Sequence, residues 1–150
     1  MASRQNQILD TGVSAPEFQL ERLDGGSATL RELTANGPAL LVFFKVTCPV
    51  CQFALPFLNR VSNVYGISQN DAEDTREFIQ EFGIRFPVLL DSEDAGYPAS
   101  NAYGISTVPT LFLVQPDGKI ARAVEGWRKK EMEALGALRA GDNVPEWKAG

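Results

Sequence analysis

The run Ala39 to Phe44 is apolar without a break until Lys45, and just beyond it stand the chain's only two cysteines, in Cys48-Pro49-Val50-Cys51. A strand that is apolar on both faces must be covered on both, so this run belongs at the centre of a sheet with helices on either side. Ala35-Asn36-Gly37-Pro38 breaks the chain before it, and Lys45 marks where it emerges. At seven residues, Pro38 to Phe44 is far too short to cross a bilayer, which needs roughly 20.

Elements on either side follow an alternation of strand and helix. Glu17 to Leu20 and Ser27 to Leu30, around the turn residues Leu23-Asp24-Gly25-Gly26, predict an N-terminal hairpin. After Pro49, the apolar positions Phe53, Leu55, Phe57, Leu58 and Val61 predict a helix; Pro49 suits its first turn, and Pro56 should kink it. Val64 to Ser68 reads as the next strand. Only twelve residues lie between Cys51 and Val64, near the lower limit for a parallel crossover, so the helix must be short. Asn70 followed by Glu73 predicts a helix over Asp71 to Phe82, stopped by Gly83. Phe86 to Leu90 is a further strand, and Asp91 to Ser100 a polar stretch with a loop and a short helix. Leu111 to Val114 and Lys119 to Val124 flank Gln115-Pro116-Asp117-Gly118 and should pair antiparallel. A last helix is predicted over Lys129 to Arg139. The expected architecture is one α/β domain with a mixed central sheet sandwiched by helices, its core at about 12–139 and its termini loose.

Composition then removes whole classes of chemistry. Among 150 residues there is no histidine, so no Ser-His-Asp or Cys-His dyad can be assembled. Two cysteines without histidine cannot complete a structural zinc site, and no metal site is expected. A net charge of −5 with no basic stripe argues against nucleic acid. Met1 to Gln7 has no apolar segment of the export type, which points to a cytoplasmic home, or a periplasmic one if such a segment has been removed.

Two thiols three residues apart at a strand-to-helix junction point to redox chemistry. Free backbone N–H groups and the helix dipole favour an anion at the helix start, where Cys48 stands. Cys51 shares its helix face and can close a disulfide with it. Cys48 is therefore the expected nucleophile and Cys51 the resolving thiol, with that disulfide in place of a cofactor. Two buried small hydrophobes, or a two-coordinate copper(I) site, are the alternatives the spacing leaves open.

Several short stretches together resemble the redoxin branch of the thioredoxin-like superfamily, which includes alkyl hydroperoxide reductase/thiol-specific antioxidant proteins. They are Ala15-Pro16-Glu17-Phe18-Gln19-Leu20, Asp24-Gly25, Thr29-Leu30, Phe43-Phe44 before Cys48-Pro49-Val50-Cys51, Val64-Tyr65-Gly66-Ile67-Ser68, Tyr103-Gly104-Ile105 and Thr107-Val108-Pro109-Thr110, in that order. The resemblance implies a three-layer α/β/α sandwich with an N-terminal hairpin extension, and thiol–disulfide exchange with protein or small-molecule disulfides, fed by an external thiol donor, in a monomer. It also implies that Pro109 is cis and lies against the dithiol, with Val108 presenting backbone to the substrate. X-Pro is the one linkage where a cis bond costs only about 0.5–1 kcal/mol.

The chain departs from these relatives in places. Where ordinary thioredoxins carry a buried acid, it has Val42, leaving Lys45 and Glu17 as candidates for proton handling. Lys45, Pro49 and Thr47 are possible accessories to the thiolate. Thiol peroxidase is the second reading, with Cys51 near the position of the peroxide-reacting cysteine. Such enzymes, however, need a Thr where Cys48 stands, with Thr47 one residue out of register, and an Arg, a part that Arg122 or Arg128 could play only by accident of fold. Copper-handling relatives use CxxxC with a distal His, which this chain lacks. Trp127 and Trp147 are left outside the site, and Tyr97-Pro98 reads as a plain surface loop, with a border of the substrate groove as the alternative.

Overall fold

A computed structural model describes residues 9–150. The stretch Met1 to Gln7, read for an export segment, lies outside the described residues. The central run forms β3 (Ala39–Phe44), every residue of it buried. It pairs in parallel with β4 (Val64–Ser68) and antiparallel with β6 (Thr110–Val114), so both of its edges are satisfied. With β1 (Gln19–Arg22), β2 (Ser27–Thr29), β5 (Val88–Leu90) and β7 (Ile120–Glu125), the main sheet runs β2-β1-β5-β4-β3-β6-β7. It is a mixed sheet in a thioredoxin-like α/β sandwich, as the sequence implies. At its middle, Gly66 leaves room for neighbours, since a Cβ there would lie 3.0 Å from the Phe44 ring and 3.2 Å from Phe86 and Val88.

The N-terminal hairpin forms with its first strand two residues later than predicted, and its second ends one residue earlier because Leu30 opens a helix. Helix α1 (Leu30–Leu33) is fixed by a capping box in which Thr29 and Glu32 satisfy each other's backbone N–H groups. Helix α2 (Pro49–Leu58) has the short length that the crossover demands, and Pro56 lies two residues from its end. Helix α3 (Ala72–Phe82) starts one residue later than predicted. Its cap is Asp71, whose carboxylate accepts the Asp74 amide at 2.8 Å, and Gly83 closes it in the left-handed conformation, φ 66°. The polar stretch after β5 holds a 3-10 turn (Glu93–Ala95) and α4 (Pro98–Ala102). Asp91 is fully buried beneath α4, where its carboxylate accepts the Ala99 and Ser100 amides and the Ser100 hydroxyl at 2.6–2.9 Å.

The C-terminal part differs most from expectation. Helix α5 is Lys129–Ala134, shorter than the predicted Lys129 to Arg139, because Gly136 turns left-handed (φ 82°) and the Ala137 amide folds back onto the Met132 carbonyl. Strands β8 (Trp127–Arg128) and β9 (Trp147–Lys148) form a second, two-stranded sheet. They bring residues 145–150 back across the molecule. Trp127, wholly buried, donates its indole N–H to the Pro145 carbonyl at 2.7 Å. The returning tail passes so near Gly126 that a Cβ there would stand 2.6 Å from the Lys148 carbonyl oxygen.

Candidate active site

The reactive pair lies where β3 ends and α2 begins. Cys48 is the N-cap of α2, in extended conformation, and its Sγ accepts the Cys51 amide at 3.1 Å. Pro49 occupies the first helical turn, where the N–H it lacks has no intrahelical partner to lose. The loop before Cys48 is pinned at Val46 from two sides. Asn70 accepts the Val46 amide at 2.9 Å, and Gln52 donates its amide N–H to the Val46 carbonyl at 2.9 Å. Neither anchor is visible in the sequence, because each works through backbone contacts across the fold.

Facing the pair is the loop before β6. The Val108–Pro109 bond is cis, and the Cys48 thiol donates to the Val108 carbonyl at 3.4 Å. That loop is held by the Thr110 hydroxyl on the Thr107 carbonyl and by the Gly126 amide on the Pro109 carbonyl, both at 2.8 Å. The structure thus brings Cys48, Cys51, Val108 and Pro109 together.

The two thiols are free and titrate in opposite directions. Cys48 is lowered to about 6, first by the hydrogen bond from the Cys51 side chain, then by the Cys51 and Val50 amides and the positive charge of Lys45, against its partial desolvation. Cys51 is completely buried, and that burial pushes its thiol up, reinforced by its own donation to Cys48. Lys45 is exposed and acts on Cys48 by charge alone. Thr47 is also exposed, and among the described residues its hydroxyl makes no hydrogen bond to either sulfur. Glu17 belongs elsewhere: its carboxylate accepts the Phe18 and Arg31 amides, and the Tyr103 hydroxyl is raised by its burial first and by the Glu17 charge second. Val42 is buried in β3, and no carboxylate acts on either thiol.

Two features border the pair. On one side Phe53 and Phe57 of α2 pack on Trp127, with ring centroids 4.7 and 5.4 Å away. Trp127 flanks the helix that carries the pair. On the other side Lys45 and Val108 join Gln69, Tyr97, Asn101 and Thr107 around a recess of about 230 Å³. Tyr97, for which the sequence left a border of the substrate groove as the alternative to a plain surface loop, is part of that wall. The two arginines a peroxidase would call on are placed otherwise: Arg122 pairs with Glu131 at 2.7 Å and Arg128 is exposed on β8. Among the described residues no three His, Cys, Asp or Glu side chains gather as a metal site, and no helix is long and apolar enough to cross a membrane.

Known proteins resemble the chain in both sequence and fold. The thiol-disulfide oxidoreductase ResA of Halalkalibacterium halodurans is 31% identical over 130 residues, 81% of this chain and 72% of the relative. ResA of Geobacillus thermodenitrificans is 30% identical over 129 residues, covering 80% and 72%. The thioredoxin domain of a thiol-disulfide oxidoreductase from Bacteroides vulgatus superposes with a TM-score of 0.71 at 26% identity, covering 79% of this chain and 91% of that one. The model of the AhpC/TSA family matches residues 11–123. The chain therefore belongs to the AhpC/TSA family, as a thiol-disulfide oxidoreductase with a thioredoxin-like fold.

Proposed function

We propose that the chain works as a disulfide reductase, with Cys48 as nucleophile and Cys51 as resolving thiol. The Cys48 thiolate attacks one sulfur of a substrate disulfide, and the released thiolate takes up a proton. The Cys51 thiol gives up its proton and attacks the mixed disulfide, closing Cys48–Cys51 and freeing the second substrate thiol. An external thiol donor then returns the pair to the dithiol. Val108 borders the path of the incoming disulfide, Pro109 holds that loop, and Lys45 favours the thiolate.

The observation that carries this reading is the Cys48 sulfur at the start of α2, which faces the Val108 loop and is lowered to about 6, first by the Cys51 side chain and then by the Cys51 and Val50 amides. Nucleophiles of such pairs range from about 3.5 in strong oxidants to about 7 in reductases, because a more stable thiolate makes the dithiol harder to oxidise. A value near 6 lies toward the reducing end. That direction suits a reducing compartment, the cytoplasm. The only large hydrophobics exposed among the described residues are Val13 and Trp147, which fits a monomer.

Equilibration with glutathione buffers tests the direction. A midpoint nearer −270 mV than −120 mV is the expected result, and one at the oxidising end overturns the reductase reading. Insulin disulfide reduction should vanish in Cys48→Ser; activity that survives there removes Cys48 as nucleophile.

A further inference from the structure

Two independent features next to Val108 constrain what can reach Cys48. The first is the recess formed by Lys45, Gln69, Tyr97, Asn101, Ser106 and Thr107, at about 230 Å³ large enough to take one half of a small disulfide. The chain carries a net charge of −5, yet this wall holds a lysine and no carboxylate. Beneath it, Asp91 has its oxygens taken up by the Ala99 and Ser100 amides and the Ser100 hydroxyl, and Ser100 in turn accepts from Gln69 at 2.8 Å; the carboxylates of Asp71, Asp74, Glu93 and Asp94 line a separate recess on the far side of Gln69 and Tyr97. Lys45 has no salt-bridge partner among the described residues.

The second feature is the C-terminal tail. Beyond β9 it runs over Gly126 to Val108, where a Cβ on Gly150 would collide with the Val108 carbonyl oxygen and come within 2.7 Å of the Thr107 hydroxyl. The Lys148 ammonium lies 5.4 Å from the centre of the Phe53 ring. An extended polypeptide laid along Val108 would meet this tail, whereas a small molecule entering from the Lys45 side would not.

We propose that the recess binds the carboxylate end of a low-molecular-weight disulfide, and that such carboxylate-bearing small disulfides, rather than polypeptides, are the preferred substrates. The proposal rests on the reductase reading and specifies its substrate class. The Lys45 ammonium receives the carboxylate, the side-chain amides and hydroxyls of the wall take its remaining lone pairs, and the sulfur beside it is presented to Cys48. Cys48 forms the mixed disulfide with one half, the other half leaves as a thiol, and Cys51 releases the bound half. Two electrons and two protons pass to the substrate.

Cystine and cystamine provide the test, because they differ only in the carboxylates. Rates of reduction by the full chain are measured with dithiothreitol as electron donor, and each is divided by its rate with dithiothreitol alone. The expected result is a preference for cystine in kcat/KM of about tenfold, against the direction that the net charge would impose on a cationic substrate. Lys45→Gln should erase that preference by raising KM for cystine; cystamine controls for its effect on the thiolate. Ser106→Glu, which sets a carboxylate on the recess wall, should invert the preference by raising KM for cystine. Insulin should be reduced more slowly, per disulfide, than cystine. Equal treatment of cystine and cystamine, a preference untouched by both variants, or faster reduction of insulin overturns the proposal. Failure with cystine, cystamine and insulin alike overturns the reductase reading, and this one with it.

Discussion

A thiol that titrates near pH 6 is about nine-tenths ionised at pH 7, whereas an unperturbed cysteine is only a few per cent ionised there. Cys48 owes this to donors that the fold aims at its sulfur, of which the Cys51 side chain is the first and Lys45 the last in size. The rate of alkylation by iodoacetamide should therefore rise about tenfold per unit up to an inflection near pH 6 and level off above it. Since Lys45 lowers that value, Lys45→Gln should move the inflection upward. Cys51 stays protonated throughout, so a single phase is expected in mass-resolved labelling. Cys48→Ser should cut disulfide reduction by roughly a thousandfold, and Cys51→Ser should accumulate mixed disulfide with the substrate. The pair was legible in the sequence because cysteine spacing is a local signal. The Val46 anchors Asn70 and Gln52 were not, since an amide side chain looks the same whether it faces water or a backbone across the fold.

The elements that carry the site follow from short-range rules. Continuous apolarity put β3 at the centre, and the twelve-residue crossover required a short α2. Capping fixed α3 to within one residue. Asn70 lost that role to Asp71 because its side chain is engaged by Val46. Asp71→Ala should lower stability by about 1 kcal/mol, read from the denaturation midpoint, with little effect on thiol reactivity. Asp91 matters more, although nothing in its sequence neighbourhood marks it. Its buried carboxylate holds the start of α4 by three hydrogen bonds, and Asp91→Asn should lower stability by about 2–3 kcal/mol, since an amide group set against two N–H donors leaves one of them unpaired. The two-residue strands β8 and β9 escaped the reading altogether. Two residues carry no periodicity, and their pairing depends on chain closure over some twenty positions.

Across the whole molecule, the strip from Pro145 to Gly150 ties the chain's end to the loop that faces the dithiol. It crosses at Gly126, where φ is 72° and a Cβ has no room. Gly126→Ala should therefore dislodge the strip, visible as fast deuterium exchange at the amides of Lys129 and Lys148 while those of β3 and β4 stay protected. Loss of protection throughout would mean instead that Gly126 supports the main sheet.

Trp127 stacks on the helix bearing the reactive sulfurs, out of contact with water, whereas Trp147 is more than half exposed. The protein thereby contains its own optical gauge: blue-shifted emission from the sheltered indole reports on the sulfurs' helix, over a red-shifted background from the other. Oxidation of the pair should therefore be readable as a change in that emission, with no dye attached near the thiols.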